Sequence, residues 1–138
     1  MLHLPSGQLG DRPLAPVGRH CILELYGCPA KRLNDTALIR DVLKGSAERA
    51  RSTFLGDLIH QFAPHGITAI ALLAESHISI HTWPEDGYAA IDVFTCGEHT
   101  QPEQACYYLI NQLEARHYSL CTLPRKTHKP IHIVDSER

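Results

Sequence analysis

The segment Ile78-Ser79-Ile80-His81-Thr82-Trp83, then Pro84-Glu85-Asp86-Gly87, then Tyr88-Ala89-Ala90-Ile91-Asp92-Val93-Phe94-Thr95-Cys96 reads as two strands around a turn. Apolar and polar residues alternate on both sides, and the Pro-Glu-Asp-Gly run supplies turn chemistry, so the pair is expected to form a hairpin. Working outward, Thr53 to Phe62 and Ile67 to Ala74 are two further expected strands, parted by the turn Pro64-His65-Gly66. His20 to Tyr26 places Cys21, Leu23 and Leu25 on one face, the pattern of a half-buried strand, and Tyr118 to Leu123 offers a last one. Between Asn34 and Arg51, Leu38, Ile39, Val42, Leu43, Ala47 and Ala50 recur at helical spacing, with Asn34 or Asp35 able to cap the first turn. A second helix is expected from about Thr100, which stands three residues before Glu103 in a capping-box arrangement, burying Ala105, Cys106, Leu109, Ile110 and Leu113. The order of elements predicts an α+β two-layer sandwich: a mainly antiparallel sheet with its helices on one face. The other face needs cover too, and a homodimer supplies it economically.

At 138 residues the chain is long enough for one domain that buries about two thirds of its unfolded surface. Residues 1–17, rich in Pro and Gly, read as a flexible tail, and 18–138 as the single domain. A net charge of -2 offers no basic face, so nucleic acid is not an expected partner. No apolar run approaches membrane-spanning length, so no membrane partner is expected. The five cysteines are odd in number and form no C-x-x-C pair; with no signal peptide, they point to a reducing, cytoplasmic setting.

The chemistry is concentrated at Ala74-Glu75-Ser76-His77-Ile78-Ser79-Ile80-His81. Burying a serine between ionisable groups is unfavourable unless partners satisfy them, which marks this run as the candidate site. A serine hydrolase is disfavoured because Ser76 sits in no G-x-S-x-G elbow. Zinc is disfavoured because the i, i+4 spacing of His77 and His81 gathers ligands on a helix, whereas this stretch alternates like a strand, and no metal is expected.

The run Glu75-Ser76-His77-Ile78-Ser79-Ile80-His81-Thr82-Trp83-Pro84-Glu85, followed by Gly87-Tyr88-Ala89-Ala90-Ile91-Asp92-Val93-Phe94-Thr95-Cys96-Gly97, resembles the short, self-cleaving S-adenosylmethionine decarboxylase proenzymes of prokaryotes. The likeness extends from about Gly18 through Cys96 and more loosely into the second helix. It implies that the Ser76 hydroxyl attacks the carbonyl of Glu75, giving chains 1–75 and 76–138 and converting residue 76 into a pyruvoyl group, the only cofactor. That group would form a Schiff base with the amine of the substrate, S-adenosylmethionine, and accept electrons as carbon dioxide leaves, yielding the aminopropyl donor for spermidine synthesis. By resemblance His81 handles protons in self-processing, Cys96 returns a proton to the substrate, Phe62 stacks on the adenine and Glu85 binds the ribose hydroxyls. Thr68 stands where the family often has a processing serine; it keeps the hydroxyl and adds a methyl. Cys21, Cys28, Cys106 and Cys121 read as core or surface residues.

Ser76 and His81 are five residues apart, so on a regular strand they face opposite sides of the sheet. Either the chain bends at the cut, or His81 serves the partner's Ser76. The family's homodimers imply the second arrangement, with Thr68, His81, Phe62 and Glu85 reaching a partner's residue 76 and Cys96 coming from the pyruvoyl's own protomer. Two rivals accompany this reading: a same-fold pyruvoyl enzyme acting on arginine or ornithine, and an unprocessed paralogue that binds without catalysis.

Overall fold

Alternation of apolar and polar side chains lets one face of a strand enter a shared core; of six strands four do so fully, and the two at the sheet edges only through the partly buried Phe54, Ile59 and Leu120. The structure, a computed structural model, describes residues 16–127. Its strands are β1 (Gly18–Tyr26), β2 (Phe54–Gln61), β3 (Ile67–Leu73), β4 (Ser76–Trp83), β5 (Tyr88–Cys96) and β6 (His117–Arg125). They form one antiparallel sheet in the order β2-β3-β4-β5-β1-β6. The helices are α1 (Ala30–Leu33), α2 (Thr36–Arg49) and α3 (Pro102–Gln112). The tail expected at 1–17 lies almost wholly outside the described residues, as does everything after residue 127.

One face of the sheet carries Cys21, Leu23 and Leu25 of β1, Ile67, Ala69, Ala71 and Leu73 of β3, Ile78 and Ile80 of β4, and Ala89, Ile91 and Val93 of β5, all buried. Against it lie Ile39, Val42, Leu43 and Ala47 of α2 and Ala105, Cys106 and Leu109 of α3. Asp35 caps α2, its carboxylate accepting the Leu38 N–H at 3.0 Å, so one of the two expected caps is the one used. Asn34 instead accepts the Gly66 N–H at 2.9 Å and so fastens the β2–β3 turn to the helical layer. The α+β reading with helices on one face stands.

Two local expectations are corrected. The capping box at Thr100 does not form: α3 starts at Pro102 after Gln101, and the Thr100 hydroxyl donates back to the Gly97 carbonyl at 3.0 Å. Arg19 of β1 takes Glu103 into an ion pair at 3.0 Å, and its guanidinium also donates to the Thr100 carbonyl at 2.8 Å. A tertiary cation has outcompeted the local bond. The second correction concerns the strands expected over Ile67 to Ala74 and from Ile78: the first ends at Leu73 and the next already begins at Ser76. Ala74 and Glu75 form a two-residue turn, Leu73 pairs with Ser76, and β3 and β4 are a hairpin. No glycine, asparagine or proline announces that turn.

The opposite face of the sheet has no helix over it among the described residues. Leu58 is 76% exposed there and Leu72 57%, Ile70 is exposed beside them, and Trp83 is exposed at the end of β4. In register Leu58 lies opposite Ile70, so these side chains make one apolar patch across β2 and β3.

Candidate active site

Residues joined by sequence resemblance fall into two groups at opposite ends of this open-sided sheet. The first is at the β3–β4 turn, where Glu75 and Ser76 meet the end of β5. Ser76 lies directly across from Thr95, and the Cys96 N–H donates to the Glu75 carbonyl oxygen at 3.0 Å. Cys96 is half-buried. Ser76 has a φ of 155°, far from the roughly −140° of antiparallel strands, so regular alternation is broken where the chain enters β4. Thr95 Oγ1 is buried with no hydrogen-bond partner beside it.

The second group lies near the far ends of the same strands. Thr68 at the start of β3 pairs with His81 toward the end of β4, and Thr68 Oγ1 and His81 Nδ1 are hydrogen-bonded at 3.0 Å. They line a half-open cleft of about 310 Å³ with Phe62, His65, Gly66, Trp83 and Glu85. Its walls are set by buried polar contacts. Thr82 Oγ1 accepts the Ile67 N–H at 2.9 Å and donates to the Leu33 carbonyl at 2.8 Å, tying both hairpins to α1. Gly66 has φ +106°, and a Cβ there would lie 3.2 Å from the Thr82 carbonyl, so the turn that presents Phe62 requires glycine. Glu85 stands in a short 3-10 turn, Pro84–Asp86, closed by Gly87 at φ 62°, and pairs with His65 at 3.2 Å. Sequence reasoning missed His65 and Trp83. Their signal was position alone: one is in the turn after Phe62, the other two residues past His81 on the same face.

The two groups do not meet within one chain. Five steps along the strand separate Ser76 from His81, about 17 Å at the usual rise. Register sets the sides as well: Ser76 lies opposite Leu73 and Thr95, both buried under the helices, while His81 lies opposite Thr68 and Ala90 on the open face. The parity reading from sequence is therefore reinforced by distance.

A third cluster was not foreseen. His20 and His77 both direct Nε2 at one oxygen of Asp92, at 2.6 and 2.9 Å, and Ser79 donates to the other. Burial alone would raise the Asp92 pKa, but the hydrogen bonds from Ser79, His20 and His77 outweigh it and hold the carboxyl below its ordinary value. Two histidines and a carboxylate are a possible metal donor set. However, Arg125 donates to His20 Nδ1 at 2.9 Å, which places the His20 proton on Nε2, where it is spent on Asp92. A metal ligand needs that lone pair free, so the cluster reads as a hydrogen-bonded network. The spatial partner of His77 is thus His20, across two strands, and not His81.

Among the remaining thiols, Cys21, Cys28 and Cys106 are buried, and burial pushes Cys28 up to about 11. Cys121 is exposed. These are the core and surface positions expected of them.

Comparison with known proteins bears on all of this. Residues 19–126 match the family model described as S-adenosylmethionine decarboxylase. The chain is 54% identical over 122 residues to an S-adenosylmethionine decarboxylase proenzyme of Parasynechococcus marenigrum, covering 88% of this chain and 94% of that one. It is 45% identical over 109 residues to the proenzyme of Caldicellulosiruptor saccharolyticus, covering 79% and 88%. In three dimensions it matches the crystal structure of the adenosylmethionine decarboxylase from Aquifex aeolicus with a TM-score of 0.76 and 38% identity, over 90% of this chain and 98% of that one. With the family model spanning both the Glu75–Ser76 turn and the Thr68–His81 cleft, the chain belongs to the S-adenosylmethionine decarboxylase family.

Proposed function

We propose that this chain cuts itself between Glu75 and Ser76, carries the resulting pyruvoyl group at residue 76, and uses it to decarboxylate S-adenosylmethionine to the aminopropyl donor for spermidine synthesis. The observation that carries the reading is the hydrogen bond from the Cys96 N–H to the Glu75 carbonyl oxygen, at 3.0 Å. In self-cleavage Ser76 Oγ bonds to the Glu75 carbonyl carbon and gives up its proton, and negative charge develops on that oxygen. A preformed backbone donor aimed there stabilises the charge. The C–N bond then breaks, nitrogen takes a proton, and an ester remains. Loss of the residue 76 α-proton expels the Glu75 carboxylate, and water replaces the nitrogen, which leaves as ammonia.

The surroundings of residue 76 suit the group so formed. It would head β4, held by ladders to β3 and β5, with the unpartnered Thr95 hydroxyl directly across the strand pair and the Cys96 thiol next to it in sequence. When present, the pyruvoyl supplies the electron sink that pyridoxal phosphate supplies elsewhere. The chain's own residues do the rest. Cys96 delivers a proton to the substrate carbon after carbon dioxide departs. Phe62 and Glu85 line one cleft, an aromatic face and a carboxylate suited to the adenine and the ribose hydroxyls of one nucleoside.

Completing the site takes a second copy. The apolar patch of Leu58, Ile70 and Leu72 is the surface a homodimer would bury, and a two-fold axis through the open face would set the Thr68–His81 cleft of one protomer at the β3–β4 turn of its partner, where the break in alternation at Ser76 would let residue 76 turn from the helix side to that face. His81, oriented by Thr68, then handles the proton of the partner's Ser76.

Intact mass spectrometry of the purified chain and carbon dioxide release from labelled substrates test the proposal together. The expected result is two fragments, 1–75 and a pyruvoyl-headed 76–138, with release from S-adenosylmethionine. A chain that remains whole after long incubation refutes self-cleavage. A cut chain that acts on arginine or ornithine and not on S-adenosylmethionine refutes the substrate.

A further inference from the structure

We propose that Thr53 is a positioning residue for self-cleavage, its hydroxyl completing a two-point grip on the Glu75 side chain that holds the scissile carbonyl against the Cys96 amide. The inference rests on the reading of Glu75–Ser76 as the bond that is cut. It starts from a turn that lacks turn residues. A glutamate at the tip of a two-residue hairpin would ordinarily extend into water, yet the Glu75 side chain is only 16% exposed. One carboxylate oxygen accepts the Thr53 N–H at 2.8 Å, and the other accepts the Thr53 hydroxyl at 3.2 Å. The Thr53 carbonyl in turn accepts the Ala74 N–H at 2.9 Å. Every hydrogen-bonding group of Thr53 is thus committed to the two residues of the turn.

The geometry works as a two-sided hold. Thr53 enters β2, which flanks β3, and grips the turn from that side; Cys96 ends β5, which flanks β4, and holds the Glu75 carbonyl from the other. With both the side chain and the carbonyl tethered, the dihedral that orients the scissile carbonyl has little freedom left. The Thr53 N–H is the main reason the Glu75 carboxyl sits below its ordinary pKa, so the grip is on a carboxylate and is charge-assisted. His99 adds little: its ring is 62% exposed and 3.5 Å away. The consequence is kinetic. In the acyl shift the Glu75 oxygen must gain charge opposite a fixed donor while Ser76 Oγ closes on the carbon, and loss of that alignment slows the step without any change in the reacting groups.

The experiment follows cleavage of the full chain after synthesis, by intact mass over time, in the wild type, Thr53→Val and Thr53→Ser. Hydroxylamine is added to parallel samples, because it severs an ester at residues 75–76 and leaves the peptide bond whole. Thr53→Val keeps the shape and the backbone bonds and loses the hydroxyl bond. It is expected to cut about tenfold more slowly, with a smaller hydroxylamine-sensitive fraction, and Thr53→Ser is expected to restore both. Equal rates and equal ester fractions in Thr53→Val and wild type would overturn the proposal while leaving self-cleavage intact. Equal slowing in Thr53→Ser would also overturn it, since the hydroxyl would then not be the operative group. A wild-type chain that never cuts would remove the underlying reading as well.

Discussion

Co-expressing two differently tagged inactive chains, one Ser76→Ala and one His81→Ala, isolates the inference that each site is shared between protomers. Strand geometry supplies the magnitude. Residues 76 and 81 are five steps apart on β4, about 17 Å, whereas proton transfer requires the histidine within about 3 Å of the hydroxyl or one water away. A histidine in the same chain is therefore out of reach by several times the working distance. Alone, each variant should fail: Ser76→Ala has no nucleophile, and His81→Ala should slow by about 10²- to 10⁴-fold. Tandem purification on both tags yields only mixed dimers. In these, Ser76 of the His81→Ala chain faces the partner's His81, so one complete site exists per dimer. Intact mass should show the His81→Ala chain cut and the Ser76→Ala chain whole. The identity of the cut chain is the diagnostic, and it does not depend on absolute rate. A mixed dimer with correct mass and a cooperative unfolding transition in which both chains stay whole would refute the shared-site reasoning.

Three further outcomes are expected. Cys96→Ala leaves the backbone donor to Glu75 in place, so the chain should still cut, while carbon dioxide release per pyruvoyl falls by about 10²-fold or more; equal losses in both steps would contradict the division of labour between thiol and amide. Asp92 has a depressed folded pKa, so its stabilising contribution is complete above its ordinary value near 3.8 and disappears as pH falls through the lower folded value; Asp92→Asn should flatten the acid limb of Tm against pH, and parallel curves would count against it. Asp35→Ala removes the α2 cap and should lower stability by about 1 kcal/mol, or about 4 °C in Tm, without altering the cut, as read by differential scanning calorimetry and mass spectrometry.

Much of this molecule was legible along the chain, where the governing interactions are local or periodic. Alternation announced β1 and the β4–β5 hairpin, helical spacing announced α2, and an aspartate three residues before Leu38 gave its cap. What escaped was decided by residues far apart in sequence. The Ala74–Glu75 turn carries no turn signal because Thr53, 22 positions earlier, holds it in shape. The Thr100 box lost its Glu103 to Arg19, 84 positions away. The His20–His77–Asp92 network depends on the register of three neighbouring strands, which no window of sequence contains. At the site, the chemical residues came from resemblance, and parity separated Ser76 from His81. The distance between them and the cleft that gathers Phe62, His65 and Trp83 required the fold.

The strand order has one more outcome for a chain cut at residue 75. Fragment 1–75 would contribute β1, β2 and β3, and fragment 76–138 would contribute β4, β5 and β6, yet the sheet runs β2-β3-β4-β5-β1-β6. The two products are interleaved: β1 lies between β5 and β6, so the fragments share three of the five strand borders, and α2 of one packs on α3 of the other. Neither fragment owns a sheet it could keep alone. Maturation would thus turn the folding of each protomer from a unimolecular problem into a bimolecular one, making the regain of a folded protomer from denaturant concentration-dependent even before any pairing of protomers, where that of the precursor's protomer is not.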